Sequence, residues 1–203
     1  MGGPCASAPL RSAMLSPEFL RSTFEVGLPY AAYVATGRPD QQQSWARAHA
    51  AVRISPEQRG VVEGFVRRMP VLVTSGTWCG DCVMQVPILD HLARCNPGCI
   101  DLRMVDRDRH ADLAAAVRIC GGLRVPTVIF MNEDFEFTAI EGDKTLSRLR
   151  SMAAKQLGNA CPLPGADQPA DELSATVEDW ATKFEHVHLM LRMSHKLRER
   201  HGD

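Results

Sequence analysis

Trp78-Cys79-Gly80-Asp81-Cys82 is the stretch that decides how this chain is read. The apolar run Val71-Leu72-Val73 before it reads as a buried strand, and the apolar segment Val83 to Cys95 after it reads as a helix. A Cys-x-x-Cys pair between a strand and a helix is the arrangement that thiol–disulfide exchange needs. The first sulfur stands at the helix N-terminus, where unpaired backbone N–H groups and the helix dipole favour a thiolate. The second lies one turn further on, near enough to make or break a disulfide with the first. Plain packing, or zinc binding with another cysteine pair, are the competing uses of two such residues.

The surrounding chain has 203 residues, 45% of them hydrophobic and 23% charged, as in an ordinary soluble globular protein. A formal net charge of -1 gives no broad pull toward nucleic acid or an anionic membrane, so neither is an expected partner. No apolar run approaches the roughly 20 residues of a membrane span. Residues 1–15 lack the continuous apolar core of a secretory signal and read as a disordered leader. The seven cysteines, Cys5, Cys79, Cys82, Cys95, Cys99, Cys120 and Cys161, are odd in number, and the chain is large enough to build a core without staples. Together with the missing signal, this points to a reducing cytoplasmic setting.

Working outward, residues 16–70 read as a helical extension. Ser16-Pro17-Glu18 and Ser55-Pro56-Glu57 are helix starts, Asp40 to Val52 is a helix carrying Trp45, and Val61, Val62, Phe65, Val66 and Met69 fall at helical spacing. Gly27-Leu28-Pro29 breaks the first helix, and Gly37 and Pro39 frame a loop. Residues 71–160 alternate strands and helices: Val71 to Ser75, Cys79 to Cys95, Ile100 to Val105, Arg109 to Cys120, Thr127 to Met131, Phe135 to Ile140 and Lys144 to Leu157. Residues 161–170 form a Pro-rich linker. Residues 171–203 hold one long helix, Asp171 to Arg200. Its stripe of Leu173, Val177, Trp180, Phe184, Val187 and Leu191 belongs against the chain's own domain, with a homodimer seam as the alternative.

The section from Val71 to Leu157 resembles thioredoxin. The resemblance rests on Val71-Leu72-Val73 before Trp78-Cys79-x-x-Cys82, on Pro87 five residues after Cys82, on Arg124-Val125-Pro126-Thr127 before a strand, and on Gly142 before the last helix. Asp81 and Val105-Asp106-Arg107-Asp108 look like a bacterial subgroup of thioredoxin-like proteins with Trp-Cys-Gly-Asp-Cys. The fold implied is α/β: a thioredoxin-like mixed sheet flanked by helices, with helical N-terminal and C-terminal extensions. The activity implied is that of a thiol–disulfide oxidoreductase, a protein disulfide reductase that needs no cofactor beyond its dithiol. Its partners would be a protein or small-molecule disulfide and a thiol reductant or reductase. The rival reading is a scaffold whose extra helices bind a partner.

The resemblance also assigns roles. Cys79 is the expected nucleophile and Cys82 the resolving thiol. Pro126 is expected to be cis, setting the Val125 backbone against the cysteine pair. Trp78, Gly80, Val125 and Thr127 are expected to form the substrate-binding surface. The family carries a buried Asp at the end of the strand before its motif. Here Thr74 is nearest and the following loop looks one residue short, which removes the usual proton acceptor for Cys82. Asp81 is the candidate replacement, or else a charge that opposes the Cys79 thiolate. His186, His188 and His195 on the terminal helix have no acidic or cysteine ligand set beside them, so no metal site is expected.

Overall fold

A computed structural model describes residues 15–157 and 171–202. Residues 1–14 of the expected leader, the linker at 161–170, Cys5 and Cys161 lie outside the described residues. The elements run α1 Pro17–Val26, α2 Tyr30–Ala35, α3 Pro39–Ala51, α4 Pro56–Glu63, β1 Met69–Ser75, α5 Gly80–Cys95, β2 Ile100–Asp106, α6 Ala111–Ala116, β3 Thr127–Met131, β4 Phe137–Gly142, α7 Leu146–Leu157, α8 Glu172–Met193 and α9 His195–His201.

The sheet order is β2-β1-β3-β4. β1 is parallel to β2 and antiparallel to β3, and β3 is antiparallel to β4, so the sheet is mixed. β1 is buried along its whole length, as a central strand rich in Val and Leu should be. Its side chains alternate between two cores. Val71 and Val73 join Trp45, Val86, Leu89, Trp180 and Phe184 on one face. Leu72 joins Leu20, Phe24, Leu113 and Phe135 on the other.

Local chemistry sets the helix ends. The Ser16 and Ser55 hydroxyls accept the backbone N–H groups of Phe19 and Gln58, each followed by Pro in the first turn. α4 stops at Gly64, earlier than the apolar spacing predicts, and Met69 and Pro70 belong to β1. Of the expected stripe, Val62 and Phe65 are buried while Val61 and Val66 face solvent. α2 was not legible between its flanking prolines and glycines. The terminal helix is two helices: Ser194 leaves helical geometry and its hydroxyl accepts from Leu197 N, so a capping residue ends one helix and starts the next. This break lets Leu197 reach the core and brings Lys196 to Glu136 at 2.6 Å.

The α8 stripe is spent inside the chain. Val177, Trp180, Phe184, Val187 and Leu191 all lie in the core on the α5 side of the sheet. Among the described residues, no helix is long and apolar enough to cross a membrane.

Candidate active site

The residues between β1 and α5 place the dithiol. Cys79 has extended backbone angles at the N-cap of α5, and its carbonyl accepts from Val83 N at 3.0 Å. No side-chain oxygen caps this end. The backbone N–H groups of Cys82 and Asp81 bear on the Cys79 sulfur instead, which is where a helix start is most receptive to negative charge. The Cys79 thiol is brought down to about 6. Chiefly this is because the Cys82 thiol donates to it; the two backbone N–H groups add, while burial and the Asp81 charge oppose. The Cys82 thiol is fully buried and is pushed well above its usual range by that burial, and then by Cys79 beside it. The pair is thus divided into a half-exposed thiolate and a proton-bearing partner.

The Val125–Pro126 peptide bond is cis, and the protonated Cys79 sulfur donates to Val125 O at 3.5 Å. This brings the Val125 backbone against the cysteines. Gly142 closes the same corner: a Cβ there would lie 2.4 Å from Pro126 O, so only glycine admits the approach. Gly80 is exposed beside Cys79. Trp78 is 50% exposed, with the Arg107 guanidinium 4.7 Å from its ring centre. Its indole lies over Gly76, where a Cβ would come within 2.7 Å of the ring. Thr127 is different. It is fully buried between β1 and β4, and its hydroxyl donates to Arg124 O at 2.8 Å. Its side chain therefore braces the loop and has no face to offer a substrate.

Asp81 is paired with Lys144 at 3.3 Å and Arg148 at 3.5 Å. Lys144 also holds Asp143 at 2.5 Å, and Arg148 also holds Glu172. The carboxylate beside the motif is thus the hub of an ion network joining α5, α7 and α8.

The acid's place behind Cys82 is taken by Ser75, one residue on from the Thr74 that sequence comparison suggests. Alternation along β1 puts Thr74 on the Leu72 face and Ser75 on the face of Val71 and Val73, toward α5. The Ser75 hydroxyl bears on the Cys82 thiol. Strand period groups Ser75 with Val71 and Val73, and the packing of α5 shows that face to be the Cys82 side. Lys144, Arg148 and Trp45 carry no such signal. Trp45 is fully buried, and its Nε1–H donates to Thr77 O at 2.9 Å, tying α3 to the motif loop.

The other described cysteines stand apart from this chemistry. Cys95 and Cys99 donate to His91 O at 3.3 Å and Phe65 O at 3.1 Å, and burial pushes both thiols up. Cys120 is exposed on a tight turn. Among the described residues, no group of three or more His, Cys, Asp or Glu is placed to hold a metal ion.

A mixed four-stranded sheet with a Cys-x-x-Cys helix start facing a Val-Pro loop is the architecture of a thioredoxin-like protein. A family model described as thioredoxin matches residues 27–141, more than half of the chain, and the chain belongs to the thioredoxin family. The match begins at Gly27, so it takes in α2 to α4, which the motif resemblance from Val71 did not reach. The chain is 35% identical over 57 residues to a thioredoxin of Borreliella burgdorferi, a stretch that is 28% of this chain and 46% of that protein. The chain thus spans about half the length of the curated relative it matches. Among solved structures it is similar to a Pseudomonas aeruginosa protein of unknown function, with TM-score 0.60, 22% identity and coverage of 80% of this chain and 95% of that one. It is also similar to an HIV epitope-scaffold, with TM-score 0.55, 22% identity and coverage of 83% and 92%. Both structures speak to the fold alone.

Proposed function

We propose that this protein is a cytoplasmic thiol–disulfide oxidoreductase that reduces protein or small-molecule disulfides with the Cys79/Cys82 dithiol. It would belong to a bacterial subgroup of the family marked by Trp-Cys-Gly-Asp-Cys. The observation that carries the reading is the division of labour in the pair: a thiolate favoured near pH 6 at the α5 N-terminus, backed by a buried protonated thiol. A scaffold has no use for that asymmetry.

In the first step the Cys79 thiolate attacks one sulfur of the substrate disulfide. A Cys79–substrate disulfide forms, the substrate disulfide breaks, and one substrate thiolate leaves. In the second step Cys82 loses its proton and attacks the Cys79 sulfur. The Cys79–Cys82 disulfide forms and the second substrate thiolate leaves, so two electrons have passed to the substrate. A thiol reductant or a reductase then restores the dithiol. The exposed Trp78 and Gly80, with the Val125 backbone, form the surface on which an extended substrate segment would lie. Asp81, balanced by Lys144 and Arg148, tempers the thiolate. The test is an electron-transfer assay with candidate reductants on wild type and Cys79→Ser. Wild type should reduce a peptide disulfide catalytically and Cys79→Ser should not; equal rates would remove the assignment.

A second reading, an interaction module, is favoured by one observation. Leu189, Met190 and Met193 form an exposed apolar face on α8, away from its buried stripe. A partner or a second copy of the chain would dock there, and light scattering of wild type against Met193→Glu tests it.

A further inference from the structure

Cys82 must shed a proton to attack, and the groups that bear on its buried thiol are Cys79, the Ser75 hydroxyl and the Gly76 backbone. Three hydroxyls belong to this corner of the fold, two of them on the Cys82 side. Thr74 Oγ1, Ser75 Oγ and Tyr33 OH are all buried, and none of them forms an aligned hydrogen bond among the described residues. A buried polar group left in that state costs free energy and calls for an explanation. Thr74 faces the opposite core. Ser75 and Tyr33 do not: Ser75 lies on the Val71 and Val73 face of β1, Tyr33 and Cys82 pack in that same core, and the Ser75 hydroxyl bears on the proton affinity of both groups. A hydroxyl both donates and accepts, and its hydrogen rotates freely, so neighbours out of line at rest align when a charge develops.

The line continues outward. Tyr33, on α2, packs edge-on against Trp45, and it walls a cavity of about 290 Å³ together with Thr36, Thr77, Asp106 and His110. Asp106 is the β2 partner of Ser75 in the parallel register, so both side chains rise from the same face of the sheet. Its Oδ1 accepts from Asp108 N at 2.9 Å and Arg109 N at 3.1 Å, which fixes the carboxylate at the cavity.

We propose that Ser75 and Tyr33 form a buried hydroxyl relay that takes the proton from Cys82 as it attacks the mixed disulfide and delivers it to the cavity walled by Asp106 and His110. The inference rests on the disulfide-exchange reading above. The Cys82 S–H proton passes to Ser75 Oγ while the Ser75 proton passes to the Tyr33 oxygen and the Tyr33 proton to the Asp106 carboxylate. Both hydroxyls end neutral, the sulfur pair of Cys82 makes the new S–S bond, and the substrate sulfur leaves with the electron pair of the bond that breaks. In this relay Ser75 exchanges its proton with the reacting sulfur, and Tyr33 acts through Ser75.

The two steps separate with the aromatic disulfide dithionitrobenzoate as probe. Attack by Cys79 releases one coloured thiolate and leaves an adduct on Cys79, and attack by Cys82 releases the second. Rapid quenching with peptide mass spectrometry follows the Cys79 adduct apart from the other cysteines. In Ser75→Ala and Tyr33→Phe, release of the first thiolate should stay within about twofold of wild type, while loss of the Cys79 adduct near pH 7 should slow about a hundredfold, the low end of what a missing proton-transfer group costs. The deficit should shrink as pH rises, because hydroxide then removes the proton. Tyr33→Phe keeps the ring on Trp45, so it reports even if Ser75→Ala is poorly folded. Wild-type resolution in Tyr33→Phe overturns the relay. So does a deficit that persists at every pH, since that is a packing defect. If wild type itself forms no Cys79 adduct, or never resolves it, the failure lies with the disulfide-exchange reading and is seen before any variant is made.

Discussion

At the scale of the residue, the account turns on how one helix start divides two like thiols. Cys79 meets backbone N–H groups and the Cys82 thiol; Cys82 is governed first by its burial and then by Cys79 beside it. Alkylation of Cys79 should therefore rise with pH through about 6 and then level, whereas a free thiol keeps gaining until about 8.5. Mass spectrometry of briefly alkylated protein checks this, and dominant labelling at Cys120 with Cys79 untouched would count against it. The lowered native pKa also fixes a sign. Its stabilisation of the reduced protein is complete above the pKa of the unfolded thiol, and is lost as pH falls through about 6. Asp81→Asn should lower the Cys79 pKa further, by less than about one unit or 1.4 kcal/mol, because the carboxylate acts on Cys79 less than its burial, the Cys82 thiol or the backbone N–H groups do, and already shares its charge with two cations. A pH titration of Cys79 reactivity measures it, and a rise in place of a fall would contradict the electrostatic role. Spacing and residue type made the pair legible in sequence. The cations that balance Asp81 were not, because Lys144 and Arg148 reach it from elements far along the chain.

At the scale of the element, the active-site helix is held by groups with no motif of their own. Trp180 Nε1–H on α8 donates to Gln85 Oε1 at 3.2 Å, and Gln85 Nε2–H donates to Asp143 O at 2.7 Å, beside the lysine that holds Asp81. On the other flank Asp90 of α5 bonds His49 of α3 at 2.8 Å and Arg94 at 2.7 Å. Trp180→Ala should cost about 3–5 kcal/mol, the range for emptying a large aromatic from a core. It should also leave the Gln85 oxygen buried without its donor. Urea unfolding measures the loss, and a change under 1 kcal/mol, well short of that range, would show that α8 is only loosely seated. Apolar periodicity announced that α8 buries a stripe, since steps of three and four are local. Its break at Ser194 was missed because a serine inside a helical pattern becomes a cap only when the next turn has somewhere else to pack, here the hairpin carrying Glu136. Likewise α2 is six residues between breakers, too short to show a period, and it carries Tyr33.

At the scale of the molecule, the mixed sheet presents the ends of β1 and α5 to the Val125–Pro126 loop, and the helices on either side of the core fix that junction. The succession of strands and helices came from pattern, and the mixed sheet from family resemblance. The replacement of the buried acid did not, because its position depends on which face of β1 each residue takes and on what lies behind it. The central claim is that Cys79 and Cys82 exchange two electrons with a disulfide. The most direct test mixes the reduced protein with an equimolar peptide disulfide, quenches with acid, and maps all thiols by mass spectrometry. The account predicts a new Cys79–Cys82 bond, the other cysteines still alkylatable, and the peptide released as two thiols. A peptide left oxidised, with Cys79 and Cys82 both still free thiols, would contradict it.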